Sequence, residues 1–170
     1  HEKILETFAN EEADILIGTQ MIVKGHDFPN VTLVGILAAD MSLYSNDYRA
    51  GERTFQLLTQ AAGRAGRGGG KGEVIIQTYS PQHYSIQMAA AQDYEGFYKE
   101  EMDYRELMGY PPVEQLLAVL MTGADESMLE TAARYLKEFA QLADKDKELQ
   151  IIGPASPNVA KVSDAYRRVL

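Results

Sequence analysis

At 170 residues, 45% of them hydrophobic, the chain is long enough for one good core or two small ones. Its formal charge of -9 and pI near 4.8 exclude a broadly basic, nucleic-acid-type surface, so any such role must rest on a local patch. The absence of cysteine excludes disulfides and thiolate metal sites in this piece.

No apolar run approaches the roughly 20 residues of a membrane helix, and no signal peptide is visible, so a cytoplasmic protein without a membrane partner is expected. The acidity is uneven. Residues 92 to 148 carry 14 acidic and 6 basic side chains and account for most of the net charge. The chain opens without Met and stops inside an apparent strand, as expected of an excised fragment.

In chain order, Ile4, Leu5 and Phe8 fall at helical spacing and predict a short amphipathic helix over 2–9. "DILIGT" (14–19) has the look of a buried strand. "GTQMIVKGHDFPNV" (18–31) then forms a polar loop, and "VTLVGILAAD" (31–40) a second strand. A helix is predicted over 50–64, stopped by Gly66 and Gly68 to Gly70, and "GEVIIQTY" (72–79) is a third strand. Strand, loop, strand, helix, strand predicts an α/β unit with a mostly parallel sheet and flanking helices.

Residues 82–108 are helix-rich and acidic, and "GYPP" (109–112) breaks them, because proline cannot continue a helix. Beyond it come a strand (114–121), a helix (126–142) whose stripe Ala132, Leu136, Phe139 and Leu142 is expected to be core, a strand "LQIIG" (149–153), and a last strand from Tyr166. That order suggests a small α+β, ferredoxin-like unit. The expected division is 1–108 and 112–170.

The chemistry concentrates in "QAAGRAGRGGGKGE" (60–73). It is not a phosphate loop: Gly70-Lys71 is followed by Gly72 instead of Ser or Thr, and the leading glycine is replaced by Ala65. Arg53, Gln56, Gln60, Arg64 and Arg67 step by three or four and share a polar stripe, opposite Phe55, Leu58 and Ala62, with Leu57 and Ala61 beside them. Small neighbours leave room for a second surface. Guanidiniums stay charged and bind phosphate through two parallel hydrogen bonds. One supplied from another domain to a transferring phosphoryl group accelerates transfer by roughly 10³ to 10⁵. The bland alternative is a helix C-terminus decorated with cations for dipole reasons.

In the 18–31 loop, Thr19, Lys24 and backbone amides suit a nucleic-acid phosphate, and Asp27 suits a sugar hydroxyl. Loops at the carboxyl ends of parallel strands are where such sheets hold ligands. An ordinary polar loop is the alternative, and His26 alone means little.

Taken together, "DILIGTQMIVKGHDFPNVTLVGILAAD" and "DYRAGERTFQLLTQAAGRAGRGGGKGEVIIQTY" resemble motifs V and VI of superfamily 2 helicases. They are most similar to those of the PriA family of primosomal replication-restart helicases. "YKEEMDYRELMGYPP" and "IIGPASP" extend the resemblance over essentially the whole chain. It implies part of a RecA-like second helicase lobe, followed by a small, truncated α+β C-terminal domain. It implies that Arg67 matches the arginine finger, Arg64 the neighbouring phosphate-contacting arginine, and Gln60 the residue linking nucleotide to DNA. Gly25 and Asp27 match positions near the ATP ribose, and Thr19, Gln20 and Lys24 face the DNA backbone.

The implied activity is ATP-driven 3′ to 5′ unwinding of forked or branched DNA in replication restart. Single-strand-binding protein and other primosome proteins are the implied partners. The lobe expected to cradle ATP and Mg²⁺ is absent, as are the family's zinc-binding cysteines, so the chain alone is expected to be inactive. Two other readings stay open. One is a non-catalytic docking module that kept a helicase-lobe fold, which the acidic run Asp93 to Glu106 favours. The other is a different superfamily 2 DNA translocase. Weak DNA contact at best is expected near Lys24, Lys161, Arg167 and Arg168; Tyr44 and Tyr48 could stack on bases, but ordinary exposed or core tyrosines are the expected reading.

Overall fold

A computed structural model describes residues 2–19, 28–66 and 71–170. It divides into two compact units, His1–Glu114 and Gln115–Leu170.

In the first unit, helix α1 (Glu2–Ala9) precedes strand β1 (Leu33–Ile36), a 3-10 turn (Met41–Tyr44), helix α2 (Ala50–Ala62), strand β2 (Glu73–Ile76), and helices α3 (Tyr84–Ala91) and α4 (Tyr94–Met108). β1 and β2 pair in parallel, with Leu33 opposite Glu73 and Ile36 opposite Ile76. Past their carboxyl ends, Asp40 is buried and its carboxylate accepts the Tyr79 N–H at 3.2 Å, tying the two outgoing loops together.

α2 packs on this pair and on α3. Its buried stripe is Ala50, Gly51, Thr54, Phe55, Leu58 and Ala61. Thr54 lies inside because its hydroxyl donates to the Ala50 carbonyl at 2.9 Å, leaving no unsatisfied group. The core joins Ala39, Phe55, Leu58, Ile86, Ala89 and Phe97, with the Phe55 and Phe97 rings stacked at 4.0 Å and 11°.

Three expectations need correction here. The helix ends at Ala62, not 64: residues 63–65 continue as a tight turn, and Gly66, at a φ of 73°, turns the chain off the helix axis. Ala61, not Ala62, belongs to the buried stripe. Residues 14–19 form no strand: no neighbouring strand among the described residues receives them, and Ile15 and Ile17 are 77% and 88% exposed. Their sequence suits a strand, but an apolar run is buried only where a partner covers it.

In the second unit, strand β3 (Leu120–Gly123), helix α5 (Glu126–Ala143), strand β4 (Lys161–Val162) and strand β5 (Ala165–Val169) form a three-stranded antiparallel sheet of order β3-β5-β4 with one helix. β5 lies between β3 and β4, as in a split β-α-β unit. The Asp125 carboxylate caps α5 by accepting the Met128 N–H at 2.9 Å.

The helix buries Leu129 and Ala133, whereas Phe139 and Leu142 are 60% and 81% exposed, so the expected core stripe is displaced around the helix. The expected 149–153 strand is also missing. Asp144 takes the Glu148 and Leu149 N–H groups at 3.1 and 2.9 Å, and only an isolated bridge, Ala155 to Val169, follows. The first strand is shorter than 114–121, although Val119 and Leu170 exchange backbone bonds at 2.9 and 3.1 Å beside it.

Candidate functional site

The two strings that carry the chemistry meet. After α2, Arg64 N–H donates to the Ala61 carbonyl at 3.1 Å and Ala65 N–H to that of Ala62 at 3.2 Å, turning the chain tightly. Gly66 then donates its N–H to the Val31 carbonyl at 2.9 Å. Val31 ends the 18–31 loop, and its own N–H bonds back to Phe28 at 3.2 Å.

The same turn also packs tightly on Gly72, which has no side chain. A Cβ there would sit 2.4 Å from the Gly66 nitrogen and 2.8 Å from the Ala65 Cβ. Phe28, from the same loop, stacks edge-on against Phe8 of α1 at 5.0 Å, and Asn30 donates to the Glu11 carboxylate. The end of the loop is thereby fixed against both α1 and the turn after α2.

Gln60, on the last turn of α2, is exposed, and Arg64 is half-buried in the turn beyond it. They are 4 residues apart at one end of the helix, as the sequence predicts. Gln60 also borders a groove of about 460 Å³ between α2 and α4, lined among others by Phe55, Tyr94, Tyr98 and Met102. Thr19 is exposed. Gln20, Lys24, Gly25, Asp27 and Arg67 lie outside the described residues.

The polar stripe does not converge as a whole. Arg53 pairs with Asp47 at 2.7 Å, and the Gln56 amide donates to Glu52 at 2.9 Å. Asp47 also accepts from the Arg49 backbone at 3.0 Å and its guanidinium at 3.3 Å. These bonds, the backbone one foremost, hold its carboxyl below the usual carboxylate range despite partial desolvation.

A second constellation escaped the sequence. Arg105, on α4, is only 9% exposed. Its Nε donates to Glu101 at 2.8 Å, Nη2 to Glu52 of α2 at 2.8 Å, and Nη1 to the Pro111 carbonyl at 2.8 Å. The guanidinium carbon lies 5.5 Å from the Tyr48 ring centroid. Burial alone would lower its pKa, but hydrogen bonds to Glu101 and Glu52 outweigh that and raise it. Tyr84 Oη donates to the other oxygen of Glu101 at 2.7 Å. Burial, then that bond, pushes the Tyr84 phenol up.

The signal was present in the letters. Glu52 sits in "RAGER" and Arg105 in "DYRELMGYPP", but a pairing across 53 residues has no local trace. Tyr48 is engaged here and against Tyr110 at 5.5 Å, in keeping with the reading of an ordinary packed tyrosine over that of a base-stacking surface. Tyr44 is exposed, with its hydroxyl 3.2 Å from that of Ser80. Glu101 belongs to the acidic run proposed as a docking face, yet it is buried and committed inward.

In the second unit, Arg168 is also 9% exposed and is held by Glu126 and Glu130 at 2.9 and 2.7 Å, which removes it from the expected DNA contacts. Lys161 pairs with Asp164 at 3.2 Å, and Arg167 is exposed, with a bond to the Val159 carbonyl at 3.4 Å. Among the described residues no three His, Asp or Glu side chains are gathered as a metal site of three such ligands would need. No described helix is long and apolar enough to cross a membrane.

Residues 1–69 match the family described as the helicase conserved C-terminal domain. The chain is 48% identical over 167 residues to the replication restart protein PriA of Bacillus subtilis strain 168, covering 98% of this chain and 21% of that protein. It is 42% identical over 169 residues to PriA of Synechocystis sp., covering 98% and 20%, and 45% identical over 167 residues to PriA of Chlamydia muridarum, covering 98% and 22%. The chain matches a C-terminal fragment of PriA. It spans about a fifth of the length of these PriA relatives. Helices α1 and α2 and strand β1 fall within the helicase-domain match, whereas β2, α3, α4 and the second unit lie beyond residue 69, in the part covered by the similarity to PriA proteins.

Proposed function

We propose that this chain is the second-lobe portion, with following segments, of an ATP-driven 3′ to 5′ DNA helicase that acts at forked DNA in replication restart. The observation that supports the reading is the Gly66 to Val31 bond, which joins the last residue of the 18–31 loop to the turn that carries Arg64. Gln60 and Arg64 present an amide and a guanidinium from that end, a donor set suited to phosphate oxygens. Arg67 is the arginine finger in this reading, Arg64 its phosphate-contacting neighbour, and Gln60 the link between nucleotide and DNA. Gly25 and Asp27 lie near the ribose, and Thr19, Gln20 and Lys24 on the DNA backbone. The phosphate cradle and metal come from another lobe. Forked DNA, single-strand-binding protein and other primosome proteins are the partners of the whole cytoplasmic protein.

In the full-length protein, Arg67→Ala lowers steady-state ATP hydrolysis by about 10³ or more. Fork affinity stays within about threefold. Equal loss of both would make Arg67 a DNA ligand instead. The 170-residue chain with Mg²⁺, ATP and fork DNA shows no turnover, and measurable turnover there would overturn the reading.

A further inference from the structure

We propose that Arg105 is a positioning residue for the helix that presents Gln60 and Arg64, acting through Glu52. The inference rests on the nucleotide-cleft reading above and adds to it a named source of alignment, in a segment outside the 1–69 helicase-domain match.

Three contacts fix the first half of α2 against α3 and α4. Arg105 ties Glu52 to Glu101 and to the Pro111 carbonyl, all at 2.8 Å. Gly51 brings the helix so close that a Cβ there would lie 2.7 Å from Tyr84 Oη and 2.9 Å from the Glu101 carboxylate. Phe55 stacks on Phe97 at 4.0 Å one turn later. The guanidinium fork fixes direction as well as distance, because planar, paired hydrogen bonds resist rotation.

Beyond Phe55 the described residues show no such clamp to α4; the far half of α2 is held by the buried Leu58 and Ala61 and, past its end, by the Gly66 to Val31 bond, so the grip at Glu52 sets the angle from which the helix runs to that second anchor. Gln60 lies eight residues on, about 12 Å along the axis. A tilt of about 5° about the clamp would shift it by about 1 Å, a displacement that costs on the order of 10²-fold in rate at a reacting centre. The same fork holds the Pro111 carbonyl, so the segment leaving α4 is aligned with α2 by a single side chain.

The test uses the full-length protein. Arg105→Lys keeps the charge and loses the fork. It lowers kcat for DNA-stimulated ATP hydrolysis by about 10- to 100-fold. The KM for ATP and the fork-DNA Kd each move less than about threefold. Amide hydrogen exchange on the same variant, without nucleotide, speeds up at Thr59 to Ala62. Normal kcat with only a lower Tm would overturn the proposal, as would a parallel collapse of kcat, KM and DNA affinity.

Should Arg105→Lys fail to fold, Glu52→Gln keeps the shape and one acceptor. It gives a smaller kcat loss with the same split, and an unchanged kcat would be equally fatal. If Arg67→Ala abolishes turnover while both clamp variants turn over normally, this proposal alone fails. If Arg67→Ala turns over normally, the cleft reading fails and the proposal falls with it.

Discussion

Both units are closed by one nearly buried arginine gripping two glutamates, and the two grips do different things. Arg168 reaches Glu126 and Glu130, four residues apart on the same helix, and so fastens one face of α5 to β5. Its partners remain partly open to water. Arg105 reaches carboxylates on two different helices and a backbone carbonyl, with Glu101 almost wholly enclosed and Tyr84 satisfying its second oxygen. The first is a rivet between a helix and a strand. The second defines how two helices lie against each other, and no residue of α2 could shift there without unpairing a buried charge. Similar chemistry thus serves cohesion in one unit and alignment in the other.

The comparison predicts unequal damage. Arg105→Met leaves Glu101 buried without its cation and should cost unit 1 about 3 to 5 kcal/mol, as breaking an enclosed pair from one side does. Arg168→Met leaves its carboxylates free to hydrate, so the loss in unit 2 is smaller and shrinks further in salt. Denaturant unfolding of the 170-residue chain, followed by amide signals from each unit, measures both. Equal losses would erase the distinction.

A second, smaller effect sharpens it. Gly51→Ala forces a methyl group into the Tyr84–Glu101 bond, an overpacking expected to cost about 1 to 3 kcal/mol. The matching change in unit 2, Gly123→Ala, meets Leu129 at an ordinary 3.6 Å and should fall within about 0.5 kcal/mol of neutral. Tolerance of both would show that α2 does not sit as tightly on α3 and α4 as the Arg105 grip implies.

The sequence spoke clearly where a signal was local. The periodicity at Ile4, Leu5 and Phe8 matches α1, Val34 and Ile36 lie in a strand paired with Val74 and Ile76, and Pro111 and Pro112 follow α4. It was ambiguous where two patterns overlapped. On α5 the stripe through Leu129, Ala133, Leu136 and Ala140 competes with one through Ala132, Leu136, Phe139 and Leu142. The larger side chains of the second made it look like core, although the sheet takes the first. It was silent where the partner was remote, as for Arg168 and Glu130, 38 residues apart, and for Arg105 and Glu52. The helicase-like strings at 14–40 and 47–79 stood out as letters because they combine residue types in an unusual order. The clamp behind them did not, since an Arg-Glu pair on helices is ordinary until geometry buries it.

The smallest predicted effect separates the units by pH. α3 begins with His83, whose Nδ1 accepts the Ser85 N–H at 3.2 Å, an interaction open only to the neutral ring. Burial depresses its pKa below 6.5, with the Glu101 charge opposing in part. A depressed folded-state pKa means that the unfolded chain takes up the proton first. This contribution is therefore complete above pH 6.5 and is lost as pH falls through the lower folded value. In unit 2, Glu130 is held below 4.5 chiefly by its hydrogen bond to Arg168, so its contribution persists above pH 4.5 and is lost only at more acid pH. Between pH 7 and 5, then, hydrogen-exchange protection should decline around α3 while α5 keeps its own. His83→Asn, which retains a capping acceptor without a titrating ring, should flatten that decline. An identical pH response in the variant would mean that the histidine cap is not what separates the two units.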